Sequence, residues 1–253
     1  MQNILQEAQQ WLFSYIKSFY TEDEDIQKAV LLKEEHTAKV ASICRMLAEH
    51  LKLSAEDCSF AELIGWCHDA GRFEQYTKYK TFNDSISENH AALGLKILQQ
   101  APFFAKMSKT WQELFVFAIY NHNTRQIAET GDRKQLLFAK ILRDADKLDI
   151  YRVLEPFLEP SDGSGCSDAF RAYFLQGKQG EYRQIRTQDD RKLVRLLWIY
   201  DINFAWTLQN ICERGYIEKI IACLPDERAI LEGKEQFFAY VEKKCRQNDE
   251  ILV

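Results

Sequence analysis

The sequence has few residues that interrupt helices and few signs of β-strands. Of its 253 residues only four are proline and ten are glycine, and an alternation of polar and apolar residues is hard to find. Apolar residues recur instead at helical spacing along most of the chain. We therefore predict an all-α protein, and the hydrophobic fraction of 46% is sufficient for a buried core.

Cysteine motifs and long apolar runs are also lacking. The seven cysteines contain no CxxC pair, which argues against a zinc ribbon or a thioredoxin-like site and favours reduced thiols. The N-terminal segment MQNILQEAQQWLF has no signal-peptide pattern. The longest apolar run, LFVFAIY at 114–120, is too short to span a bilayer. These features predict a cytoplasmic protein without a membrane segment.

Positive charge is not in excess. The formal net charge is −5, and no stripe of basic and aromatic residues is present. This balance argues against nucleic acid or an anionic membrane as a partner. Local basic residues can still bind a small anion.

The helical periodicity predicts individual elements. Residues 71–84 are expected to form a loop, and residues 159–168 (EPSDGSGCSD) a linker. The domains are thus predicted as a core over 1–160 and a C-terminal helical layer, 161–253, packed on it. Helices are predicted at 2–20, 25–51, 55–68, 85–100, 109–122, 133–153, 168–175, 189–213, 216–223 and 227–246.

Four of the five histidines fall on the apolar stripes of separate predicted helices. These are His36, His68, His90 and His122, whereas His50 lies in a polar turn. A single inward histidine is more often a satisfied core residue, but burying four without a purpose would be costly. Together with Asp69 and the acidic cluster DADKLD at 144–149, they predict a metal site with mixed nitrogen and oxygen ligands.

The order of these residues along the chain resembles the ligand pattern of a known superfamily. His36, then His68-Asp69, then His90 and His122, then an aspartate in LRDADKLD resembles the extended H…HD…H…H…D pattern of the HD-domain superfamily. The resemblance covers roughly residues 30–155. It implies an all-α HD-domain helical bundle and a metal-dependent phosphohydrolase.

The last aspartate ligand is not decided by periodicity. Asp144 and Asp146 each share a helical face with apolar residues. The family pattern Ala-Asp-x-Leu assigns the role to Asp146, with Asp144 as a candidate to orient a histidine. Asp149 is interpreted as a solvent-facing or capping residue.

The resemblance also implies the roles of the site residues. Asp69 would bridge two divalent ions, Fe or Mn in preference to Zn, Co or Mg. The first ion would be held by His36, His68 and Asp146, and the second by His90 and His122. A metal-activated hydroxide would then cleave a phosphoester of a small metabolite or nucleotide.

Two residues after the HD pair are assigned by the same resemblance, and a third by its position beside the last aspartate. Arg72 would contact phosphate, with a surface arginine as the equal alternative, and Gly71 would allow a tight turn after the helix. Lys147 is a further candidate for phosphate contact, although a surface lysine fits its position equally well. The predicted catalytic residues are thus Asp69, Arg72 and Lys147.

Two other functions stay open. An oxygenase similar to myo-inositol oxygenase would use the same ligand types, and a non-catalytic module could use metals only to stabilise its fold. A cyclic-dinucleotide hydrolase of the HD-GYP branch is disfavoured, because Asn121-His122-Asn123 replaces its paired histidines. The sequence does not identify the substrate or the oligomeric state.

Overall fold

The computed structural model describes residues 1–249. In that range the chain is all α-helical and contains no strand. The α-helices are α1 (Gln2–Lys17), α2 (Glu24–His50), α3 (Ala55–Cys67), α4 (Ala70–Tyr79), α5 (His90–Leu98), α6 (Pro102–Lys106), α7 (Lys109–Asn121), α8 (Arg133–Leu154), α9 (Asp168–Gln176), α10 (Gln188–Leu197), α11 (Ala205–Glu213), α12 (Tyr216–Ala222) and α13 (Arg228–Cys245). The predicted all-α class is confirmed.

The chain divides into two compact units, one ending at Asp149 and the other beginning at Ile150. The sequence had suggested a boundary near residue 160. The packing of the C-terminal helices on the first unit stays a prediction. The last four residues of the predicted C-terminal layer, 250–253, lie outside the described residues.

The predicted loop at 71–84 is wrong, because most of it is α4. Phe73 and Gln75 in the first part of this helix are buried, whereas Thr77 and Lys78 in its last turn are exposed. Several of the polar residues that suggested a loop thus form an exposed last helical turn. The chain leaves the helix at Lys80, which has a left-handed conformation with φ of 55°.

Other boundaries also differ. The helix predicted at 85–100 begins only at His90, after a 3₁₀ turn at Asp84–Ile86. The helix predicted at 189–213 is divided into α10 and α11 by a 3₁₀ turn at Trp198–Asp201. The short α6 was not predicted.

The first unit brings α2 and α3 into close contact at a glycine. A Cβ atom on Gly65 would lie 2.6 Å from the Cα atom of Ala41, so a larger residue would force the helices apart. His36 lies on α2 one and a half turns before this crossing, and His68 directly follows α3. The glycine therefore allows two predicted ligands from distant parts of the chain to approach each other.

A second close crossing joins α4 and α5. A Cβ atom on Gly71 would lie 2.2 Å from the backbone oxygen of His90 and 2.6 Å from the backbone nitrogen of Gly94. Gly71 lies inside α4, so the predicted tight turn at this residue is wrong. Its physical role is to let α5 pack against the helix that follows the His68-Asp69 pair.

Aromatic side chains complete the core of the first unit. The ring of Phe60 on α3 lies 4.6 Å, between centroids, from both Trp111 on α7 and Phe138 on α8. These contacts tie α7 and α8 to α3. Ser54 caps α3, because its side chain accepts a hydrogen bond from the backbone N–H of Asp57.

The segment predicted as a linker is fixed within the second unit. Ser161 donates a hydrogen bond to Asp189 (2.6 Å), and the backbone and hydroxyl of Ser167 both donate to Asp190. Asp189 and Asp190 lie in the first turn of α10 and are fully buried. Two buried carboxylates therefore hold the segment against a helix N-terminus, where negative charge is favourable.

The structure also describes the state of the cysteines and the apolarity of the helices. Each of the seven cysteines is free, and the described residues contain no disulfide. Over the same residues, no helix has the length and apolarity needed to cross a bilayer.

Candidate metal centre

The six predicted ligands come from five places in the first unit. His36 lies within α2, and His68 and Asp69 occupy the break between α3 and α4. His90 is the first residue of α5, and His122 directly follows α7. The sixth residue, Asp146, lies within α8. The histidines and Asp69 are buried, and the side chain of Asp146 is 16% exposed.

The Asp69 carboxylate lies between two pairs of histidines. Its Oδ2 is 3.6 Å from Nε2 of His36 and 3.5 Å from Nε2 of His68. Its Oδ1 is 3.4 Å from Nε2 of His90 and 3.8 Å from Nε2 of His122. The two oxygens thus belong to two groups that share one carboxylate, and each group is compact enough to hold a metal ion.

Asp146 adds a second carboxylate to one of these groups. Its Oδ1 lies 3.1 Å from Nε2 of His36 and 3.7 Å from Nε2 of His68. Asp144, the alternative candidate, is fully buried two residues earlier on the same helix. The distances to Asp146 support the choice made from the family pattern.

The Nδ1 atom of each of the four histidines lies beside a hydrogen-bond acceptor. Nδ1 of His68 lies 2.8 Å from the carbonyl oxygen of Gly65, and Nδ1 of His122 lies 2.6 Å from that of Ile119. The carboxylates of Asp149 and Asp84 are 2.7 Å from Nδ1 of His36 and of His90, respectively. Acceptors at Nδ1 favour the tautomer in which Nδ1 carries the proton and Nε2 carries a lone pair.

Four Nε2 atoms therefore converge on Asp69. Nε2 of His36 and of His68 are buried without a hydrogen-bond partner. Nε2 of His90 lies only 2.9 Å from Nε2 of His122, a distance at which two unprotonated nitrogens repel unless a cation lies between them. Unsatisfied buried nitrogens beside carboxylates fit a divalent metal ion of the type that imidazole and carboxylate bind.

Asp149 has a role that the sequence interpretation missed. It was expected to face solvent or cap a helix, but it is buried and contacts Nδ1 of His36 at 2.7 Å. It follows Asp146 by three residues on α8, so both carboxylates lie on one face of the helix and reach opposite nitrogens of one imidazole. This spacing could have indicated the role.

The charges around the centre shift the pKa of each carboxylate ligand. Burial alone would raise the pKa of Asp69. The nearby positive groups of Lys33, His68 and Arg72 outweigh burial and lower this pKa to well below its usual range. Burial likewise raises the pKa of Asp146, and His36 and His68 outweigh this effect. Both carboxylates are therefore ionised at neutral pH.

The two histidines with acidic partners differ from each other. Burial lowers the pKa of His90 to about 4 against an opposing contribution from Asp84. Burial also lowers the pKa of His36, but the carboxylates of Asp146 and Asp149 outweigh it and leave the pKa above its usual value. His90 is thus neutral at pH 7, as a metal ligand must be. The two carboxylates beside His36 favour its protonated form instead.

Arg72 is close to the centre but is occupied by other groups. Its Nη1 donates hydrogen bonds to Gln75 Oε1 (2.8 Å), the carbonyl oxygen of Phe82 (2.6 Å) and Asp84 Oδ1 (3.0 Å). Its Nε is buried 3.6 Å from Oδ1 of Asp69. The predicted phosphate contact of Arg72 therefore competes with an internal network.

Lys147 follows Asp146 on α8 and is half-buried. Its phosphate contact stays a prediction. Lys80, from the same segment as Arg72, is exposed and forms an ion pair with Asp23 at 2.9 Å.

Asp84 is a second residue that the sequence interpretation missed. Besides His90, it accepts hydrogen bonds from Arg72, from Gln75 Nε2 (2.8 Å) and from Asn123 Nδ2 (3.0 Å). It lies in a 3₁₀ turn with no helical periodicity, so no pattern in the sequence could have indicated it.

Arg143 fixes the end of α7 from α8. This buried residue donates through Nη1 to the carbonyl oxygens of Asn121 (2.9 Å) and His122 (3.4 Å). The last carbonyls of a helix lack partners within the helix, and a guanidinium that satisfies them also fixes the following residue. His122 is thereby held at the centre.

The fold and the centre define the class of this protein as an all-α protein with a buried histidine and aspartate cluster that can hold metal. Residues 34–151 match the family model of the HD domain, so this part of the chain is similar to HD domains. The HD domain defines a superfamily of metal-dependent phosphohydrolases. No curated protein and no solved structure matches the chain.

Proposed function

We propose that this protein is a phosphohydrolase that uses two divalent metal ions, Fe or Mn in preference to Zn, Co or Mg, to cleave a phosphoester of a small metabolite or nucleotide. The observation that carries the proposal is the position of Asp69, whose two carboxylate oxygens face two different histidine pairs. A carboxylate between two cation sites is suited to bridge them. The HD-domain family supports the reaction class.

In this proposal the residues divide into two ligand sets. His36, His68 and Asp146 would hold one ion and His90 and His122 the other, and Asp69 would offer one carboxylate oxygen to each group. When bound, divalent ions stabilise charge on phosphoryl oxygens and lower the pKa of coordinated water.

The protein itself supplies orientation and charge. The Nδ1 acceptors fix the imidazole rings, so that little reorganisation is needed when substrate arrives. The carboxylates Asp69 and Asp146 stay ionised because nearby positive groups lower their pKa values. Lys147 is retained as a candidate contact for the phosphoryl group.

The test has two parts. Elemental analysis of protein purified without chelators should give about two ions per chain in the wild type, and Asp69→Ala should lose both. The wild type should also hydrolyse at least one member of a broad panel of phosphomonoesters, and His68→Ala should not.

Other results would contradict the proposal in distinct ways. Oxygen uptake with polyols and no phosphate release would favour an oxygenase. Tight metal binding with neither activity would favour a metal-stabilised module. Wild-type protein that binds no metal after reloading would make both the centre and the hydrolase reaction wrong.

A further inference from the structure

Lys33 extends from α2 to the metal centre. It lies three residues before His36, and its Nζ donates a 2.7 Å hydrogen bond to Oδ2 of Asp69. This is the carboxylate oxygen that faces His36 and His68. The side chain of Lys33 is 16% exposed and that of Asp69 only 3%, so the lysine connects a buried carboxylate with a more accessible position.

The ammonium group of Lys33 is only partly used. It has three N–H donors, and Asp69 is its one hydrogen-bond acceptor among residues 1–249. The ring of Phe82 lies beside it, with 5.3 Å between Nζ and the ring centroid. Two donors therefore stay available beside the centre, and a charged donor of this kind pairs well with a phosphate oxygen.

Arg72 differs from Lys33 in this respect. Its Nη1 is held by Gln75, Asp84 and the Phe82 carbonyl, and its guanidinium carbon lies 5.8 Å from the centroid of the same Phe82 ring. Moving Arg72 toward a ligand would break the network that fixes Asp84, the partner of His90. Arg72 is thus better suited to hold the second histidine group in position.

We infer that Lys33 is a side chain that contacts the phosphoryl group of the substrate, and that Arg72 positions Asp84. The inference rests on the proposed function, because it assigns the substrate contact at that same centre. The lysine would keep one hydrogen bond to Asp69 and direct its remaining donors to a non-bridging phosphate oxygen.

A phosphate contact by Lys33 and a purely structural role in holding Asp69 predict different effects on metal binding. A positive charge 2.7 Å from a ligand oxygen opposes the binding of a cation to that oxygen. Removing a substrate-contacting lysine should therefore weaken phosphate binding and leave metal binding unchanged or tighter. Removing a lysine that only holds Asp69 in place should weaken metal binding instead.

The test compares variants of the full chain loaded with Mn²⁺. Isothermal titration gives the affinity for inorganic phosphate, and a separate titration gives the affinity for Mn²⁺. Lys33→Met should weaken phosphate binding on the order of ten-fold, as expected for the loss of one charge-assisted hydrogen bond, and Lys33→Arg should restore most of it. The matched control is Lys28→Met, because Lys28 lies on the same helix, is exposed and pairs only with Glu24.

Two results of these titrations would overturn the inference. One is unchanged phosphate affinity in Lys33→Met, with or without weaker Mn²⁺ binding. The other is wild-type protein that holds Mn²⁺ but binds no phosphate. Substrate turnover with a KM that Lys33→Met does not change would also contradict it.

The failure of the proposed function is distinguishable. If the wild type hydrolyses no phosphoester but binds phosphate in a Lys33-dependent manner, the hydrolase proposal is wrong and the assignment of Lys33 as a phosphate contact survives. A chain that binds no Mn²⁺ would overturn both.

Discussion

Each of the two compact units buries a cluster of polar side chains, and the clusters differ in how completely their atoms are paired. In the second unit, Oδ1 of Asp189 pairs with Lys192 at 2.8 Å, and Oδ2 accepts from Ser161 and from the backbone of Gly165. Asp190 next to it also accepts hydrogen bonds at both oxygens. In the first unit, the Nε2 atoms of His36 and His68 are buried without a hydrogen-bond partner.

This difference separates a structural cluster from a functional one. Burying a polar group without a partner costs free energy, so a fold that needs only stability pairs its buried groups, as the second unit does. Unpaired nitrogens that converge on one carboxylate indicate a ligand that supplies the missing interaction. Burial of charged residues alone would not have distinguished the two clusters.

The largest expected effect is in the cluster of Asp189, Asp190 and Lys192 in the second unit, here called the paired cluster. Asp189→Ala leaves the buried ammonium of Lys192 without its carboxylate and should lower the free energy of unfolding by about 3–5 kcal/mol. Denaturant unfolding measures this loss, and metal content should not change. The matched control is Asp168→Ala, whose carboxylate is 99% exposed. Equal stability of the two variants would contradict the structural role.

Metal binding should stabilise the cluster around His36, His68 and Asp69 in the first unit, here called the unpaired cluster. Mn²⁺ at about 100 times the Kd of the tighter site, with the weaker site still empty, should raise the free energy of unfolding of the wild type by about 2.7 kcal/mol, because it binds only the folded centre. Thermal unfolding with and without Mn²⁺ measures this increment. Asp69→Ala should abolish it. An increment that persists in Asp69→Ala would place the metal elsewhere.

The carboxylates that orient histidines should affect the two groups separately. Asp149→Ala removes the partner of His36, and Asp84→Ala removes that of His90. Each should weaken binding of one ion by about 10–100-fold, since an unsupported imidazole is less well oriented. A two-site metal titration should show a different site weakened in each variant. Loss of both sites in either variant would argue against two distinct groups.

The smallest expected effect is again in the paired cluster. Ser161→Ala removes one of two hydrogen bonds to Oδ2 of Asp189 and leaves the one from Gly165. The free energy of unfolding should fall by about 1 kcal/mol, with metal binding unchanged. A loss as large as that of Asp189→Ala would mean that the hydroxyl, and not the ion pair with Lys192, holds this segment.

Residues whose positions follow a local pattern could be predicted from the sequence. The four histidines on apolar stripes, the pair His68-Asp69 and the helices α2, α3, α7 and α8 all depend on helical periodicity within a short stretch of chain. The choice of Asp146 needed the family pattern in addition, because Asp144 shares the same periodic character.

Only the tertiary structure decided which residues support the ligands. Asp149 and Lys33 contact His36 and Asp69, which lie 113 and 36 residues away along the chain. Asp84 contacts His90 only six residues on, but it lies in a 3₁₀ turn where no helical period indicates the contact. The helix at 70–79 was also missed, because Gly71 fits its place only through contact with α5. The sequence by itself determined the helices and the types of ligand, since both follow from local periodicity and side-chain chemistry. The pairing of those ligands with their supporting groups depends on helix crossings, which only close packing in three dimensions fixes.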